Sequence, residues 1–322
     1  MLSLAIVDAK IWSPDLLLDY LYTQYKLNEP AVIDFMPEAT CLQSAGVYGI
    51  LDKFCASTGY SKSSISIRTA NMIEHHNEYN IIRDVSGWYE IELLKEWCGK
   101  NNIEDKKPTY HFANFISRNH WSRLWIATIL NTHYQNKTLQ SYNYFNSTEN
   151  YNPDRYVGLD DLVVKGCDLV TEVTEFLKTC PQTLDADTFP IQHPANLNLL
   201  KYYPDIFVDI VVETNVTGNS FLVTEKLWRP IMARRPFIVM GNCNYLLNLK
   251  RLGFRTFNSF WSEEYDQFDS EKRIKEIEKV LYEISRYSNL DQVLNDMKEI
   301  LEHNYQTFMK LDHQQIARAF NA

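Results

Sequence analysis

Short apolar runs alternate with helical spacings along the N-terminal third of the chain. Strand-like runs lie at 2–8 (LSLAIVD), 31–36 (AVIDFM), 63–71 (SSISIRTAN) and 78–85 (EYNIIRDV). Amphipathic helical spacings lie between them, at 14–25 (PDLLLDYLYTQY) and 44–58 (SAGVYGILDKFCAST). The alternation predicts β-α-β units around a mostly parallel, Rossmann-like sheet.

A second alternation follows after a polar stretch. Strands are predicted at 110–117 (YHFANFIS), 138–145 (TLQSYNYF), 205–214 (DIFVDIVVET), 236–242 (PFIVMGN) and 255–261 (RTFNSFW). Helices are predicted at 121–134, 159–180, 224–235 and 245–254, and two or three amphipathic helices from 270 onward. The chain is therefore expected to be an α/β protein whose second Rossmann-like half is followed by C-terminal helices.

The polar stretch 99–109 (GKNNIEDKKPT) is dense in charge and turn formers, so we place a domain boundary there. A chain of 322 residues is long enough for two domains. The predicted organisation is an N-terminal, acceptor-side domain at 1–104, a donor domain at 105–269 and C-terminal helices packing on the core at 270–322.

Composition and charge narrow the function classes. The formal net charge of −9 disfavours generic nucleic-acid binding. The N-terminus lacks the basic and apolar regions of a signal peptide, and no window approaches the ~18 apolar residues of a membrane helix, so a cytoplasmic protein without a transmembrane segment is expected. Six scattered cysteines without a CxxC pair argue against a zinc site or a disulfide framework.

Candidate chemistry concentrates at 205–242. No GxGxxG or GxxxxGK[ST] motif is present, so a nucleotide would have to be bound in another way. Glu213 ends a predicted buried strand, and Thr224 can N-cap a helix whose first turn contains Glu225 and Lys226. Strand ends that face helix N-termini are where open α/β sheets bind ligands. Lys226 suits a phosphate and Glu225 suits ribose or sugar hydroxyls.

A structural interpretation of the same residues stays open. A glutamate in the first turn of a helix is favoured by the helix dipole without any ligand. In this interpretation Glu225 has only that role and Lys226 is a solvated surface residue. Arg234 and Arg235 are typical of a helix C-terminus, where cations are favoured.

The order FVDIVVETN (207–215), VTEKL (223–227) and PFIVMG (236–241) resembles the donor-binding core of the fucosyltransferase type of sugar-nucleotide glycosyltransferase. The continuation TEKLWRPI is similar to blocks in uncharacterised viral and phage glycosyltransferase-like proteins. A second block, FISRNHWSRL (115–124), resembles that family's strand ending in Ser-Asn, which is followed by an arginine that contacts the diphosphate.

The resemblance implies a GT-B arrangement, in which two Rossmann-like domains face a cleft and the second binds the donor. Arg123 and Lys226 would neutralise the diphosphate, with Arg118, after Ser117 at the strand end, as the competitor of Arg123. Glu213 and Glu225, beside the cap Thr224, would hold ribose or sugar hydroxyls, and Asn215 the loop or the base.

The implied reaction is an inverting transfer from a UDP-, GDP- or other nucleotide sugar to a glycan hydroxyl, without an obligatory metal or other cofactor. In that case the enzyme would work in the cytoplasm, or in the host cytoplasm if it is viral.

The segment Trp228–Arg229–Pro230 departs from the family pattern. Pro230 is expected to kink the helix or to end a short first segment. Arg229 is a candidate third phosphate ligand, and we expect donor choice to be decided at Trp228 and Arg229.

An inverting transfer needs a base that deprotonates the acceptor hydroxyl. In the family this base is a carboxylate of the N-terminal domain, but no motif identifies it here. Glu38 in MPEAT, and Glu74 with His75 in NMIEHHNEY, are the candidates, and each is also compatible with an ordinary surface residue.

Three other interpretations remain. A metal-dependent GT-A enzyme would use a DxD pair, for which Asp185 and Asp187 are available. A phage-type DNA glycosyltransferase acting on hydroxylated modified bases would need a basic groove, for which Lys106–Lys107 and Arg234–Arg235 are the local clusters. A non-catalytic nucleotide-sugar-binding module would keep the fold and bind without transfer.

Overall fold

The computed structural model describes residues 3–6, 12–36, 39–104, 106–116, 119–142, 159–184 and 197–321. The chain divides into two compact units. Unit 1 comprises Met1–Ile91, Thr217–Leu222 and Leu311–Ala322, and unit 2 comprises Glu92–Val216 and Val223–Lys310. This division differs from the predicted boundary at 104, because α3 (Glu90–Lys100) lies almost entirely in unit 2 and the last residues of the chain belong to unit 1.

Unit 1 contains a four-stranded parallel sheet in the order β1-β2-β3-β4. Its strands are β1 (Leu4–Ile6), β2 (Ala31–Phe35), β3 (Ile65–Thr69) and β4 (Asn80–Arg83). Buried and partly exposed residues alternate along β2 and β3, so that one face of each strand enters the core. The strands predicted from these runs are confirmed.

The two helices predicted between the strands of unit 1 are present, although the first ends at Leu27 and the second begins only at Val47. In α1 (Pro14–Leu27), the Ser13 hydroxyl accepts the Leu16 N–H, and Asn28 ends the helix in the left-handed conformation. In α2 (Val47–Thr58), Gly59 ends the helix in the same conformation. Both helices contribute apolar side chains to the core that covers the sheet.

Unit 2 contains the second four-stranded parallel sheet, in the order β6-β5-β7-β8. Its strands are β5 (Tyr110–Ile116), β6 (Thr138–Tyr142), β7 (Ile206–Val212) and β8 (Phe237–Met240). Every residue of the central strand β7 and of the edge strand β8 is buried, as is typical of a parallel sheet covered on both faces. A mixed α/β protein with two parallel sheets is therefore confirmed.

The helices of unit 2 connect and flank this sheet. They are α3, α4 (Trp121–Tyr134), α5 (Leu159–Val164), α6 (Val170–Lys178), α7 (Glu225–Met232), α8 (Tyr245–Arg251), α9 (Ser270–Ser285), α10 (Leu290–Asp296) and α11 (Lys298–Lys310). A 3-10 segment, Leu197–Asp205, precedes β7. A last helix, α12 (His313–Phe320), belongs to unit 1, so the predicted 270–322 segment is shared between the two units.

One predicted strand, 255–261, is wrong. Its backbone bonds to side chains instead of to a neighbouring strand: the Arg255 N–H donates to Asn304 Oδ1 at 2.8 Å, and the Phe257 N–H donates to Glu263 Oε1 at 2.6 Å. The Phe257 ring packs against Phe237. The apolar residues of this segment therefore fill the core from an irregular backbone.

Candidate functional site

The predicted donor-site residues on β7 and α7 lie together at the carboxyl edge of the unit 2 sheet. Glu213 directly follows β7, and its N–H donates to the Met240 carbonyl at the end of β8 at 2.9 Å. The next helix of unit 2, α7, begins at Glu225 after the cap Thr224. Polar side chains therefore meet where the neighbouring strands β7 and β8 end, and the carboxyl edge is where open α/β sheets bind ligands.

Glu213 is buried and accepts several hydrogen bonds. Its Oε2 accepts the Thr224 hydroxyl at 2.8 Å, and its Oε1 accepts the Tyr245 hydroxyl at 3.1 Å. Burial raises the pKa of Glu213, whereas the Lys226 charge, 3.8 Å away, lowers it. These contacts fix the carboxylate in one orientation.

Thr224 is the N-cap of α7, as predicted. Its hydroxyl oxygen accepts the Lys226 N–H at 3.4 Å, and it also accepts from Lys226 Nζ at 3.3 Å. The same hydroxyl donates to Glu213. One side chain thus joins the strand end to the helix start.

The Glu225–Lys226 pair is largely enclosed. Lys226 Nζ lies 3.1 Å from Glu225 Oε1, and the two side chains are 19% and 17% exposed. Burial by itself raises the pKa of Glu225. The charges of Lys226 and Arg229 together lower the pKa by more than burial raises it, so the carboxyl titrates below its usual range. Lys226 is therefore held between two carboxylates and is not the solvated surface residue of the structural interpretation.

Arg123 approaches the end of β7 from α4, the helix that follows the neighbouring strand β5. It lies in the first turn of α4, is 4% exposed, and its Nη2 donates to Thr214 Oγ1 at 3.0 Å. Because Thr214 follows Glu213 directly, the Arg123 contact brings a second cation to this edge. Asn215, the next residue, is half-buried.

His120, at the N-cap of α4, is a polar residue that the sequence prediction missed. Its Nδ1 lies 2.8 Å from the Ser122 hydroxyl oxygen. Burial lowers the pKa of His120 to about 4, and the charges of Arg123 and Lys165 lower it too. The imidazole is therefore neutral at pH 7 beside Arg123.

The segment Trp228–Arg229–Pro230 faces the interior. The Trp228 ring packs against Phe308 and Phe254, with ring centroids 5.2 and 5.9 Å apart. Arg229 is 3% exposed. The helix contains Pro230 and runs on to Met232, so it does not end at the proline as one of the two predicted outcomes required.

A buried polar group adjoins Arg229. Tyr203, in the 3-10 segment, donates its hydroxyl to Asp209 Oδ2 in β7 at 2.5 Å, and the charge of Arg229 acts on both side chains. Burial raises the pKa of Asp209 to about 6, against the opposing effects of Arg229 and Tyr203. The signal that could have identified this group is the single aspartate within the apolar run IFVDIVV.

Tyr245 was also missed. It is the first residue of α8, shortly after β8 ends, and it is fully enclosed against Glu213. The signal that could have identified Tyr245 is a polar side chain shortly after the end of β8.

The candidate bases have different surroundings. Glu74 is buried in unit 1, where its Oε2 accepts the Leu42 N–H at 3.1 Å and Asn71 Nδ2 at 2.9 Å, and its Oε1 accepts the Tyr48 hydroxyl at 2.9 Å. These bonds give Glu74 a structural role in that unit. His75 is exposed.

Several predicted site residues lie outside the described residues. They are Glu38, Ser117, Arg118, Asp185 and Asp187. Among the described residues, no three His, Cys, Asp or Glu side chains are grouped as ligands for a metal ion. Within the same part of the chain, every helix is too short or too polar to span a membrane.

The basic clusters considered for DNA binding are engaged in internal contacts. Lys106 pairs with Asp205 at 2.5 Å, Lys107 with Asp291 at 3.5 Å and Arg234 with Glu302 at 2.7 Å. Arg235 is buried and donates to the carbonyls of Tyr203, Pro204 and Lys106. Of these four cations only Arg235 is buried, and the side chains of Lys106, Lys107 and Arg234 stay exposed beside their carboxylate partners.

Comparison of the chain with protein-family models gives no match, and comparison with curated protein sequences gives none either. The ligand of the site is therefore inferred from its side chains.

Proposed function

We propose that this protein is a glycosyltransferase that transfers a sugar from a nucleotide-sugar donor to a hydroxyl of an acceptor glycan. The observation that carries the proposal is the cluster at the ends of β7 and β8, in which Lys226 lies 3.1 Å from Glu225 and 3.8 Å from Glu213. A nucleotide sugar needs both chemistries at one place: cations for its diphosphate and carboxylates for its hydroxyls.

Residual exposure divides the roles within the cluster. Lys226 and Glu225 keep part of their side chains accessible, whereas the Glu213 side chain is only 5% exposed and accepts from two hydroxyl groups. We assign Lys226 and Arg123 to the diphosphate, Glu225 to ribose or sugar hydroxyls, and Glu213 to the support of Thr224 and Lys226. Asn215 contacts the loop or the base in this proposal.

The assigned cations act on the leaving group. As the bond from the anomeric carbon to the diphosphate oxygen breaks, negative charge grows on that oxygen. Cations held beside it stabilise this charge without rearrangement, because their own positions are already fixed by hydrogen bonds. In this proposal Lys226 supplies that charge at the start of α7, where the helix N–H groups add to it.

The proposal includes the GT-B fold class, which is supported by the two separate units, each with a four-stranded parallel sheet. It also includes the inverting outcome that the family resemblance implies.

Thermal unfolding in the presence of UDP-, GDP-, CMP- and dTDP-sugars tests donor binding. A ligand at 100 times its dissociation constant adds about 2.7 kcal/mol to the free energy of unfolding, so one donor should raise the melting temperature by several degrees. Lys226→Ala should weaken that donor by about tenfold or more, because it removes a charge-assisted hydrogen bond to the diphosphate.

The matched control is Lys279→Ala, which removes an exposed lysine that pairs with Glu276 on α9. This control should bind the donor like the wild type. The proposal fails if none of the donors stabilises the wild type, or if Lys226→Ala binds as well as the control. Stabilisation without release of a nucleoside diphosphate in the presence of glycan acceptors would instead identify a binding module.

A further inference from the structure

Tyr245 has no assigned contact with the donor, yet its hydroxyl reaches the centre of the cluster. The ring is buried, and the hydroxyl donates to Glu213 Oε1 at 3.1 Å. Burial and the charge of Glu213 raise the pKa of Tyr245, so the hydroxyl keeps its proton and acts as the donor. A buried carboxyl group depends on hydrogen bonds that replace those it made with water. Tyr245 therefore determines how one of the two Glu213 oxygens is held.

The second oxygen of Glu213 faces the start of α7. Glu213 Oε2 accepts the Thr224 hydroxyl at 2.8 Å and lies 3.8 Å from Lys226 Nζ. Lys226 Nζ in turn donates to Thr224 Oγ1 at 3.3 Å. Because both oxygens belong to one planar carboxyl group, a partner that fixes Oε1 also fixes Oε2 and the side chains that contact it. The Tyr245 hydroxyl thus reaches the Lys226 ammonium group through a single side chain.

The Tyr245 ring packs directly against Gly241, the residue that follows β8. A Cβ atom at Gly241 would lie 2.6 Å from Tyr245 Cδ2, which is too close for a real contact, so a larger residue would displace the ring. The backbone of Gly241 lies outside the left-handed region, so the ring and not the backbone conformation requires a glycine there. The Gly241 carbonyl accepts a hydrogen bond from Arg273 Nη1. The surface against which the ring packs is therefore fixed from α9.

The backbone around Tyr245 is held by Asp266. The Asp266 carboxylate accepts the N–H groups of Leu246 at 3.0 Å and of Leu247 at 3.2 Å. The Asp266 carbonyl accepts the Asn244 N–H at 2.7 Å. The residues on both sides of Tyr245 are therefore fixed, and the hydroxyl has a defined position beside the strand end.

We propose that Tyr245 is a positioning residue for donor binding: packed against Gly241, it holds the Glu213 carboxyl group in the orientation that aligns Thr224 and Lys226 with the diphosphate. This inference rests on the proposed function. Tyr245 acts through Glu213 and does not contact the donor. The end of β8 thereby contributes to the site without providing a donor contact of its own.

A double-mutant cycle tests the inference, with UDP and GDP as probes and their dissociation constants measured by calorimetry. Tyr245→Phe removes only the hydroxyl and keeps the ring against Gly241. We expect it to weaken the nucleotide that binds by about threefold or more, and Lys226→Ala to weaken it by about tenfold. The double variant should bind no more weakly than Lys226→Ala alone, because Tyr245 acts through the ammonium group.

Nitrogen NMR of isotope-labelled lysine supplies a readout that needs no ligand. The Lys226 ammonium signal is identified by its loss in Lys226→Ala. Tyr245→Phe should shift or broaden this signal, because the acceptors of Lys226 are then no longer fixed. The matched control is Tyr287→Phe, which removes a half-buried hydroxyl that donates to the Phe260 carbonyl at 3.0 Å. This control should leave both the signal and the nucleotide affinity unchanged.

A second variant displaces the ring without changing the tyrosine. Gly241→Ala should push the hydroxyl away from Glu213 and weaken the nucleotide by about threefold or more, and in the Lys226→Ala background it should have no further effect. If Tyr245→Phe does not fold, the Gly241→Ala cycle decides.

Two failures are distinguishable. If neither UDP nor GDP binds the wild type, the proposed function and this role both fall. If a nucleotide binds the wild type but Tyr245→Phe binds it as tightly as Tyr287→Phe does, the positioning role is overturned and the proposed function stands. The same holds if the Tyr245→Phe and Lys226→Ala effects add fully, or if the Lys226 signal is unchanged in Tyr245→Phe.

Discussion

At the scale of single residues, Asp209 carries the clearest pH dependence. Burial raises its pKa from the ordinary 3.8 to about 6 in the folded protein. Between these values the folded state binds a proton that the unfolded state has released. The contribution of Asp209 to stability is therefore fully present below its ordinary pKa and is lost as the pH rises through about 6.

Asp209→Asn should remove this component of the pH dependence. The free energy of unfolding of the wild type, minus that of the variant, should fall between about pH 4 and pH 7, because only the wild type must keep a buried carboxylate ionised at the upper end. Urea denaturation across this range measures it. Asp296→Asn, at an exposed position on α10, is the control and should leave the difference flat. An equal slope for both variants would contradict the assignment.

At the scale of the element, the start of α7 depends on one hydroxyl. The Thr224 oxygen accepts the Lys226 N–H, and its proton is donated to buried Glu213. Thr224→Ala removes the cap and leaves Glu213 with one hydroxyl partner fewer. It should lower the free energy of unfolding by about 2 kcal/mol, which urea denaturation can measure.

Thr224→Ser is the matched variant for this prediction. It keeps the oxygen at the same position, so it should lie within about 0.5 kcal/mol of the wild type. Equal losses in the alanine and serine variants would mean that the methyl group, and not the hydroxyl, stabilises the helix start.

The same helix shows which features the sequence could and could not predict. A threonine before Glu-Lys predicted the helix start, and the end of an apolar run predicted Glu213 at the strand end, because both are local signals. Trp228 points instead to Phe308, far along the chain, so its burial in the core was not visible locally. The dependence of donor choice on Trp228 stays a prediction.

The wrong strand at 255–261 has the same origin. Its aromatic residues are typical of a strand, but the Arg255 backbone is bonded by Asn304 and the Phe257 backbone by Glu263. A side chain about fifty positions away cannot be anticipated from local periodicity. Tertiary hydrogen bonds thus overrode the strand propensity.

At the scale of the whole molecule, unit 1 is assembled from three separate parts of the chain. The segment Thr217–Leu222 joins it through Asn71, whose Oδ1 accepts the Phe221 N–H at 2.9 Å and whose Nδ2 donates to the Asn219 carbonyl at 2.9 Å. Gly218 adopts a φ of +80°, and a Cβ there would lie 2.3 Å from Ser44 Oγ. A polar stretch at 99–109 marked a linker in the sequence, but no local feature marked these returns.

The C-terminal return is the more extensive of the two. In α12, a capping box formed by Asp312 and Gln315 starts the helix. The Phe320 ring then packs 5.4 Å from that of Phe221, and the Asn321 carbonyl accepts Arg83 Nη2 at 2.7 Å. The helix therefore closes the core of unit 1 by contacts with both of its other parts.

Phe320→Ala should consequently destabilise unit 1, although the substitution lies more than two hundred residues from the sheet strands of that unit. Removing a buried phenylalanine costs about 3–5 kcal/mol. Hydrogen exchange should become faster in β3 and β4 and stay unchanged in β7 of unit 2. Arg318→Ala, on the exposed face of the same helix, is the control and should alter neither. Faster exchange in α9 and α11, with β3 and β4 unchanged, would instead support a C-terminal domain that begins at 270. In that case the loss of stability would affect the helices before α12 and not unit 1.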